Sequence, residues 1–286
     1  MENNQPLQPK KTMLSNWYRQ PKIYIRLPSK GEYYAKDALD ISTTGDYAVY
    51  AMTAKDELMF KTPDALLNGQ STVEVLKSCI PAIQDPWKMP SIDVDAALVA
   101  VRIATYGEKM EVSTNCPSCN AENDYEINLN TWLEKLNQFE FDPKVVVDPL
   151  TVYVRPYTYL EMTQTSLKSL EQQRIFGVIN DESLSDEEKL DKFGKSFSKL
   201  TQLTVDVIAQ CVAQIETPDG IETDATEIKN FIHNSPKEIF NAIADHVQAL
   251  KSKIDIPAQE VKCTSCETEF LMPVTMDQSN FFAVRS

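Results

Sequence analysis

Glycine is scarce in this chain, seven residues in 286, and there are only two histidines. So few glycines exclude a glycine-rich loop of the kind that cradles phosphates. No Gly-x-Ser-x-Gly or His-Glu-x-x-His pattern offers a nucleophile with its base or a histidine-based catalytic zinc. His233 and His246 lie in helical patterns with no nucleophile beside them, which suits surface or helix-end positions. No run of ~18 or more apolar residues occurs, so nothing is expected to span a membrane. Residues 1–20 read as a disordered arm, polar at first with Pro6 and Pro9 and without an apolar signal core, which implies a cytoplasmic setting. Positive charge is also in deficit: 28 Lys and Arg face 42 Asp and Glu, a net charge of −14. Phosphate binding requires concentrated cations, so nucleic acid fits poorly as the main ligand and protein partners fit better.

Cysteine is present in a pattern. Cys116-Pro117-Ser118-Cys119 and Cys263-Thr264-Ser265-Cys266 are two Cys-x-x-Cys motifs with 143 residues between them. Four thiolates at this local spacing suit a tetrahedral Zn²⁺ with Zn–S distances of ~2.3 Å, because two intervening residues let a tight turn aim both sulfurs inward. The flanks read as strands: Lys109 to Thr114 before the first pair, Tyr125, Ile127 and Leu129 alternating after it, then Val261 and Phe270 to Val274 around the second. This is the layout of a zinc ribbon split by an insert. All four positions are ligands, no open position is left, and the zinc is expected to be structural. The competing readings are a redox Cys-x-x-Cys, which belongs at a helix start after a buried strand, and unrelated thiols. Cys79 and Cys211 sit among apolar neighbours and read as small core residues.

The predicted fold class is α+β. Residues 21–141 with 259–286 form a mixed α/β region carrying the split ribbon, and residues 142–258 form a large, mainly helical insert. Strands are expected over Lys22–Leu27 and Asp46–Met52. Thr53 with Asp56, Ser71 with Glu74, Thr158 with Glu161, Ser185 with Glu188 and Ser235 with Glu238 mark helix starts. Asp93 is read as the cap of the most apolar helix, Val94 to Tyr106, which Gly107 ends. Arg102 on that helix is expected to pair with an acid from another segment. In the insert, Val145–Val147 and Thr151–Arg155 suggest a hairpin turning at Asp148-Pro149. Four helices follow: Thr158 to about Ile179, Asp186 to Ile215, Ala225 to His233 and Pro236 to Ser252.

Taken in order, Leu27-Pro28-Ser29-Lys30-Gly31-Glu32-Tyr33-Tyr34, Met52-Thr53-Ala54-Lys55-Asp56-Glu57, the Pro63 to Gly69 turn, Val101-Arg102-Ile103-Ala104-Thr105-Tyr106-Gly107, the Cys-Pro-x-Cys knuckle and Asn280-Phe281-Phe282 form a set. That set resembles the baseplate hub assembly proteins of T-even-type contractile-tailed phages. The resemblance covers about Ile23–Cys119 and Val261–Phe282, and none of its motifs falls in the insert. It implies a non-enzymatic hub component or assembly chaperone, other tail or baseplate proteins as partners, and a place in the host cytoplasm during assembly or in the virion. Oligomeric state is not implied. The rival from another class is a nucleic-acid-associated zinc-ribbon accessory protein, which a basic stripe near Lys109 and Lys262 would favour. A metal-dependent or thiol enzyme would need an open metal position or a reactive free cysteine in a cleft.

Overall fold

The chain wraps around one helix. In α3 (Ser91–Tyr106; the other elements are numbered below in chain order) twelve of sixteen residues are buried, Ile92 to Ala104 with Asp95 excepted. A helix apolar on nearly all sides must be covered on nearly all sides, and each fully buried aliphatic side chain contributes ~1.5–3 kcal/mol. The computed structural model describes residues 13–14, 17–61, 69–176, 185–255, 258–274 and 281–282.

Around α3 lie β1 (Pro21–Ile25) and β2 (Tyr47–Tyr50), an antiparallel pair, with α1 (Ala54–Phe60) and α2 (Gln70–Cys79). Two further hairpins follow the same core: β3 (Lys109–Asn115) with β4 (Glu122–Asn128), and, near the other end of the sequence, β9 (Gln259–Lys262) with β10 (Glu269–Met272). Between them run α4 (Leu129–Asn137), β5 (Lys144–Val147), β6 (Leu150–Val154), α5 (Tyr159–Phe176), α6 (Asp186–Cys211), β7 (Val212–Thr217), β8 (Gly220–Glu222), α7 (Ala225–Asn234) and α8 (Lys237–Ile254). Strands β5 to β8 make one antiparallel sheet in sequence order. They enclose a second hydrophobic cluster with α6, α7 and α8, in which Val152, Ile228, Ile232 and Ile243 are buried. Trp132 Nε1 donates to the Ile254 carbonyl at 3.3 Å and Lys135 Nζ to that of Asp255 at 3.1 Å, so α4 holds the end of α8.

Local start signals hold where the partner is three residues away and nothing competes. Thr53 and Asp56 form the reciprocal capping box, and Thr158 and Glu161 do the same at 2.8 and 3.2 Å, with Arg155 bidentate on Glu161. Three other signals are overruled. The Ser71 hydroxyl donates instead to the Met59 carbonyl at 2.8 Å, and α2 starts from Gly69 in the left-handed region at φ +75°. Ser235 donates back to Ile232 at 3.1 Å, leaving Pro236 at the start of α8 without a side-chain cap. Asp93 lies inside α3, not ahead of it: Pro90 is the capping position. The Glu188 side chain of the Ser185–Glu188 box and the Pro63–Asn68 turn lie outside the described residues, as does most of the arm over residues 1–20.

Two more expectations are corrected. The second long helix of the insert stops at Cys211, and residues 212–217 are strand β7. Val212 and Ile215 are buried there, β7 pairs with β6, and a tight turn at Pro218-Asp219 carries the chain into β8. The insert therefore has a sheet as well as its four helices. Arg102, buried, has no acid on it among the described residues. Its guanidinium lies 5.4 Å from the Tyr106 ring centre and 5.5 Å from that of Phe281, with Nε and Nη1 unbonded. Aromatic faces supply the compensation that the expected carboxylate does not.

Asp93 is a buried anchor. It accepts hydrogen bonds from Ser29 N at 2.7 Å, Ser29 Oγ at 2.5 Å and Tyr34 Oη at 3.0 Å, pinning the Leu27–Tyr34 loop to α3. Burial nevertheless pushes its carboxyl up to about 6, the Ser29 and Tyr34 bonds working against the shift. A folded pKa above the ordinary carboxylate value means that the native state holds the extra proton. The contribution of Asp93 is most favourable below about pH 4, declines as pH rises to about 6 and is flat beyond. The span corresponds to about 3 kcal/mol. Asp93→Asn keeps the shape without the charge, so its urea-unfolding free energy relative to the parent should gain about that much between about pH 4 and 6. A pH-independent difference rejects this account.

Candidate metal centre

The two cysteine motifs occupy equivalent turns. In the first, Cys116 N–H donates to the Ala121 carbonyl at 2.9 Å and Asn120 N–H to the Cys116 carbonyl at 2.9 Å. In the second, Cys263 N–H donates to Thr268 at 2.9 Å and Glu267 N–H to Cys263 at 3.0 Å. Both turns close through a non-glycine residue in the left-handed region, Asn120 at φ 57° and Glu267 at φ 60°. Both aim a backbone N–H at the first sulfur, from Ser118 to Cys116 and from Ser265 to Cys263, at 3.4 Å each. Neither pair sits at a helix N-terminus, where a redox pair belongs.

Packing of the two hairpins brings the turns together. Tyr125 of β4 packs edge-on against Phe270 of β10 with ring centres 6.3 Å apart, and its hydroxyl donates to the Lys262 carbonyl at 3.0 Å. The sulfurs of Cys116, Cys119, Cys263 and Cys266 then all lie within 4.8 Å of one another. Cys116 and Cys266 are 3.6 Å apart, as are Cys119 and Cys263. Four sulfurs about a tetrahedral ion with ~2.3 Å bonds would stand ~3.8 Å apart, so the four residues fit a metal ion and a zinc-ribbon arrangement. The first cysteine of each pair is buried and the second exposed. Cys79 and Cys211 are buried elsewhere, in the core positions expected of them.

The thiols are in electrostatic conflict without a cation. The N–H of Cys266, and then that of Ser265, hold Cys263 down to about 6, and Thr268 holds Cys266 below the ordinary thiol value. Cys119 goes the other way: although the Ala121 N–H favours its thiolate, the neighbouring sulfurs push it up to about 12. Four thiolates at this spacing require a positive ion among them, and a divalent ion removes the conflict.

Asn123 was not found by motif reasoning. Buried on β4, its amide donates to the Ala121 carbonyl at 2.8 Å and points at Cys263 Sγ from 3.6 Å. Its oxygen accepts from Thr264 N at 2.8 Å and Thr264 Oγ1 at 2.7 Å. One side chain thus holds both turns. The signal was its phase: Asn123 alternates with Tyr125 and Ile127 on the inward side of β4, where an apolar residue is the norm. Groups that orient metal ligands typically cost 10–100-fold in metal affinity when removed. Asn123→Ala should weaken binding of Co²⁺ by about that factor in a chelator competition, with the tetrahedral thiolate spectrum retained at saturation. Unchanged affinity would remove Asn123 from the site.

Residues 21–283 match the T4 bacteriophage base plate protein family. The match runs through the insert, which carries none of the motifs on which the resemblance rests. No curated protein and no solved structure matches the chain.

Proposed function

The chain belongs to the T4 bacteriophage base plate protein family, and from that premise we propose that it is a non-enzymatic component or assembly chaperone of the baseplate hub. Baseplate proteins work by contact with other phage structural proteins, and the tail is where they belong. The hub role, assembly in the host cytoplasm and the absence of catalysis are our reading. We further assign a single structural Zn²⁺ to Cys116, Cys119, Cys263 and Cys266, which makes the two hairpins one split zinc ribbon. An all-sulfur tetrahedral set selects zinc or an iron–sulfur centre among common metals, and the ligands occupy every position, so no site is left open for a substrate. Residues 142–258 serve in this reading as an insert hung on the ribbon and packed about its own apolar cluster.

The observation that carries the proposal is the convergence of two turns 143 residues apart in a chain matched to the family from end to end of both. The nucleic-acid reading loses its discriminating feature. Lys109 pairs with Glu126 at 2.8 Å and Lys262 with Glu267 at 3.2 Å, and the exposed face of the first hairpin carries Glu111, Glu122 and Asp124 besides. A ribbon with that face repels phosphate. Binding to duplex or single-stranded nucleic acid should therefore stay in the weak, non-specific range of ~10⁻⁴ M, and submicromolar binding that weakens steeply with salt would favour the rival.

Metal analysis of protein purified without chelator should give one zinc per chain. Cys263→Ser should lose it and fail to support baseplate formation, while Cys211→Ser keeps both. The helices of the insert should survive by circular dichroism, because they hold their own apolar cluster. A Cys263→Ser protein that binds no zinc yet folds and assembles baseplates normally defeats the proposal.

A further inference from the structure

The antiparallel sheet of the insert ends in an open strand. Strand β5 is outermost in the order β5 to β8, and among the described residues no strand lies beyond it. Its backbone phase is set by β6: Val154 N–H donates to the Pro143 carbonyl at 2.7 Å, and Val145 and Val147 stand opposite Val152 and Leu150. Alternation along the strand then turns the peptide groups of Lys144, Val146 and Asp148 to the free edge. The Asp142 carboxylate accepts from Lys144 N–H there at 3.1 Å. The N–H groups of Val146 and Asp148 and the carbonyls of Lys144 and Val146 remain for a second strand.

This edge is held from behind. Val145 is buried in the cluster that contains Ile243 and Leu250 of α8, and His246 Nε2 of the same helix lies 2.8 Å from the Asp142 carbonyl. Lys144, Val146 and Asp148 are exposed, Val146 at 65%. A strand already fixed in this way needs little ordering before it pairs.

The charges along the edge select a second copy of the same edge. In an antiparallel pair with its two-fold axis at Val146, that residue meets Val146 of the second copy, and Lys144 of each copy stands opposite Asp148 of the other. Opposite charges directly across are favourable. An edge lysine ordinarily repels another strand, but in this register it meets a carboxylate. Moving the axis to Val145 would oppose Asp142 to Asp148, and moving it to Val147 would set Asp148 against Val146. Only the axis at Val146 pairs both charges. Pro143 and Pro149, which lack an N–H, close the ladder at its two ends. The other edge of the sheet offers no such match. Strand β8 is 3 residues long, Glu222 Oε1 accepts from Thr223 N at 2.8 Å and Asp224 N at 2.7 Å, and an axis at Ile221 would oppose Asp219 to Thr223.

We propose that two copies of this chain pair antiparallel through β5, joining their insert sheets into one across a two-fold axis. Each copy gives its Val146 N–H to the Val146 carbonyl of the other and its Asp148 N–H to the Lys144 carbonyl of the other, with Lys144 and Asp148 ion-paired across the contact. The same edge serves both copies and is used up, so the contact closes as a dimer. It spans residues 144–148 of each copy and belongs to the small, weak class of interfaces.

The test is sedimentation velocity and light scattering of the full chain at up to about 300 μM, a concentration that reveals weak association. The wild type should approach twice the 32.4 kDa monomer mass. Val146→Pro removes the central N–H on the free side alone, where an edge strand tolerates proline, and should be folded by circular dichroism and monomeric. Lys144→Asp and Asp148→Lys each set like charges opposite one another and should weaken association by about tenfold or more. Mixed in equal amounts, these two variants should associate again, because the new carboxylate of one meets the new ammonium of the other. Ile221→Lys on β8 should leave the dimer unchanged. Amide exchange followed by NMR should slow at Val146 and Asp148 as the wild-type concentration rises. A wild type that stays monomeric overturns the proposal, including the case where the edge pairs only with a strand of another tail protein. So does a dimer that survives Val146→Pro, or a mixture of the two charge variants that stays apart.

Discussion

Four sulfurs gathered within 4.8 Å constrain everything that leaves and returns to them. The turns that carry them are alike in hydrogen bonding and backbone conformation, yet neither can complete a four-sulfur cluster alone. Each needs the other hairpin. The chain between must therefore be folded so that residue 263 arrives against residue 119, and the side chains that enforce this are Asn123, Tyr125 and Phe270. Closing a loop of 143 residues is a large restraint on the unfolded chain in principle. Structural metal sites in small peptides contribute ~10–16 kcal/mol of apparent binding energy, so a fraction of that is comparable with the ~5–15 kcal/mol stability of a whole domain.

Buried charge is handled in three ways around α3. Asp56 is saturated by local and tertiary donors: Thr53 N and Oγ1 at 2.8 Å each, Ser78 Oγ at 3.1 Å, with Arg19 nearby. Asp93 is saturated by one distant loop and pays the desolvation penalty in a raised pKa. Arg102 takes aromatic faces and leaves two nitrogens without a bond among the described residues. Phe281, which covers it, also packs on Phe282, and Phe282 stacks on Phe60 with ring centres 4.3 Å apart. The C-terminal aromatic pair is thus part of the core of the N-terminal region, as the second cysteine turn is part of the first.

The insert carries none of the residues on which the resemblance rests, yet the family match runs through it. Its sheet and helices hold one another through apolar positions such as Val152, Ile215 and Ile243. Many apolar residues satisfy such positions equally well.

What the sequence determined by itself was local or periodic. The Cys-x-x-Cys spacing predicted two sulfur-bearing turns, alternation predicted their strands, an almost wholly apolar run predicted a buried helix ended by Gly107, and the boxes Thr53–Asp56 and Thr158–Glu161 formed because both partners lie within one turn. The tertiary structure decided every case in which a polar side chain had a better partner far away. Ser71 turned to Met59 and Asp93 to Ser29 and Tyr34, over separations of 12, 64 and 59 residues. Val212 illustrates the same point for backbone: helical periodicity ran past Cys211, but β6 offered an unpaired edge and two buried positions, and the chain became strand. Asn123 lies in the apolar phase of β4 and joins two turns that only the folded chain brings together. Pairing free energy depends on distance in space, and a sequence states distance along the chain.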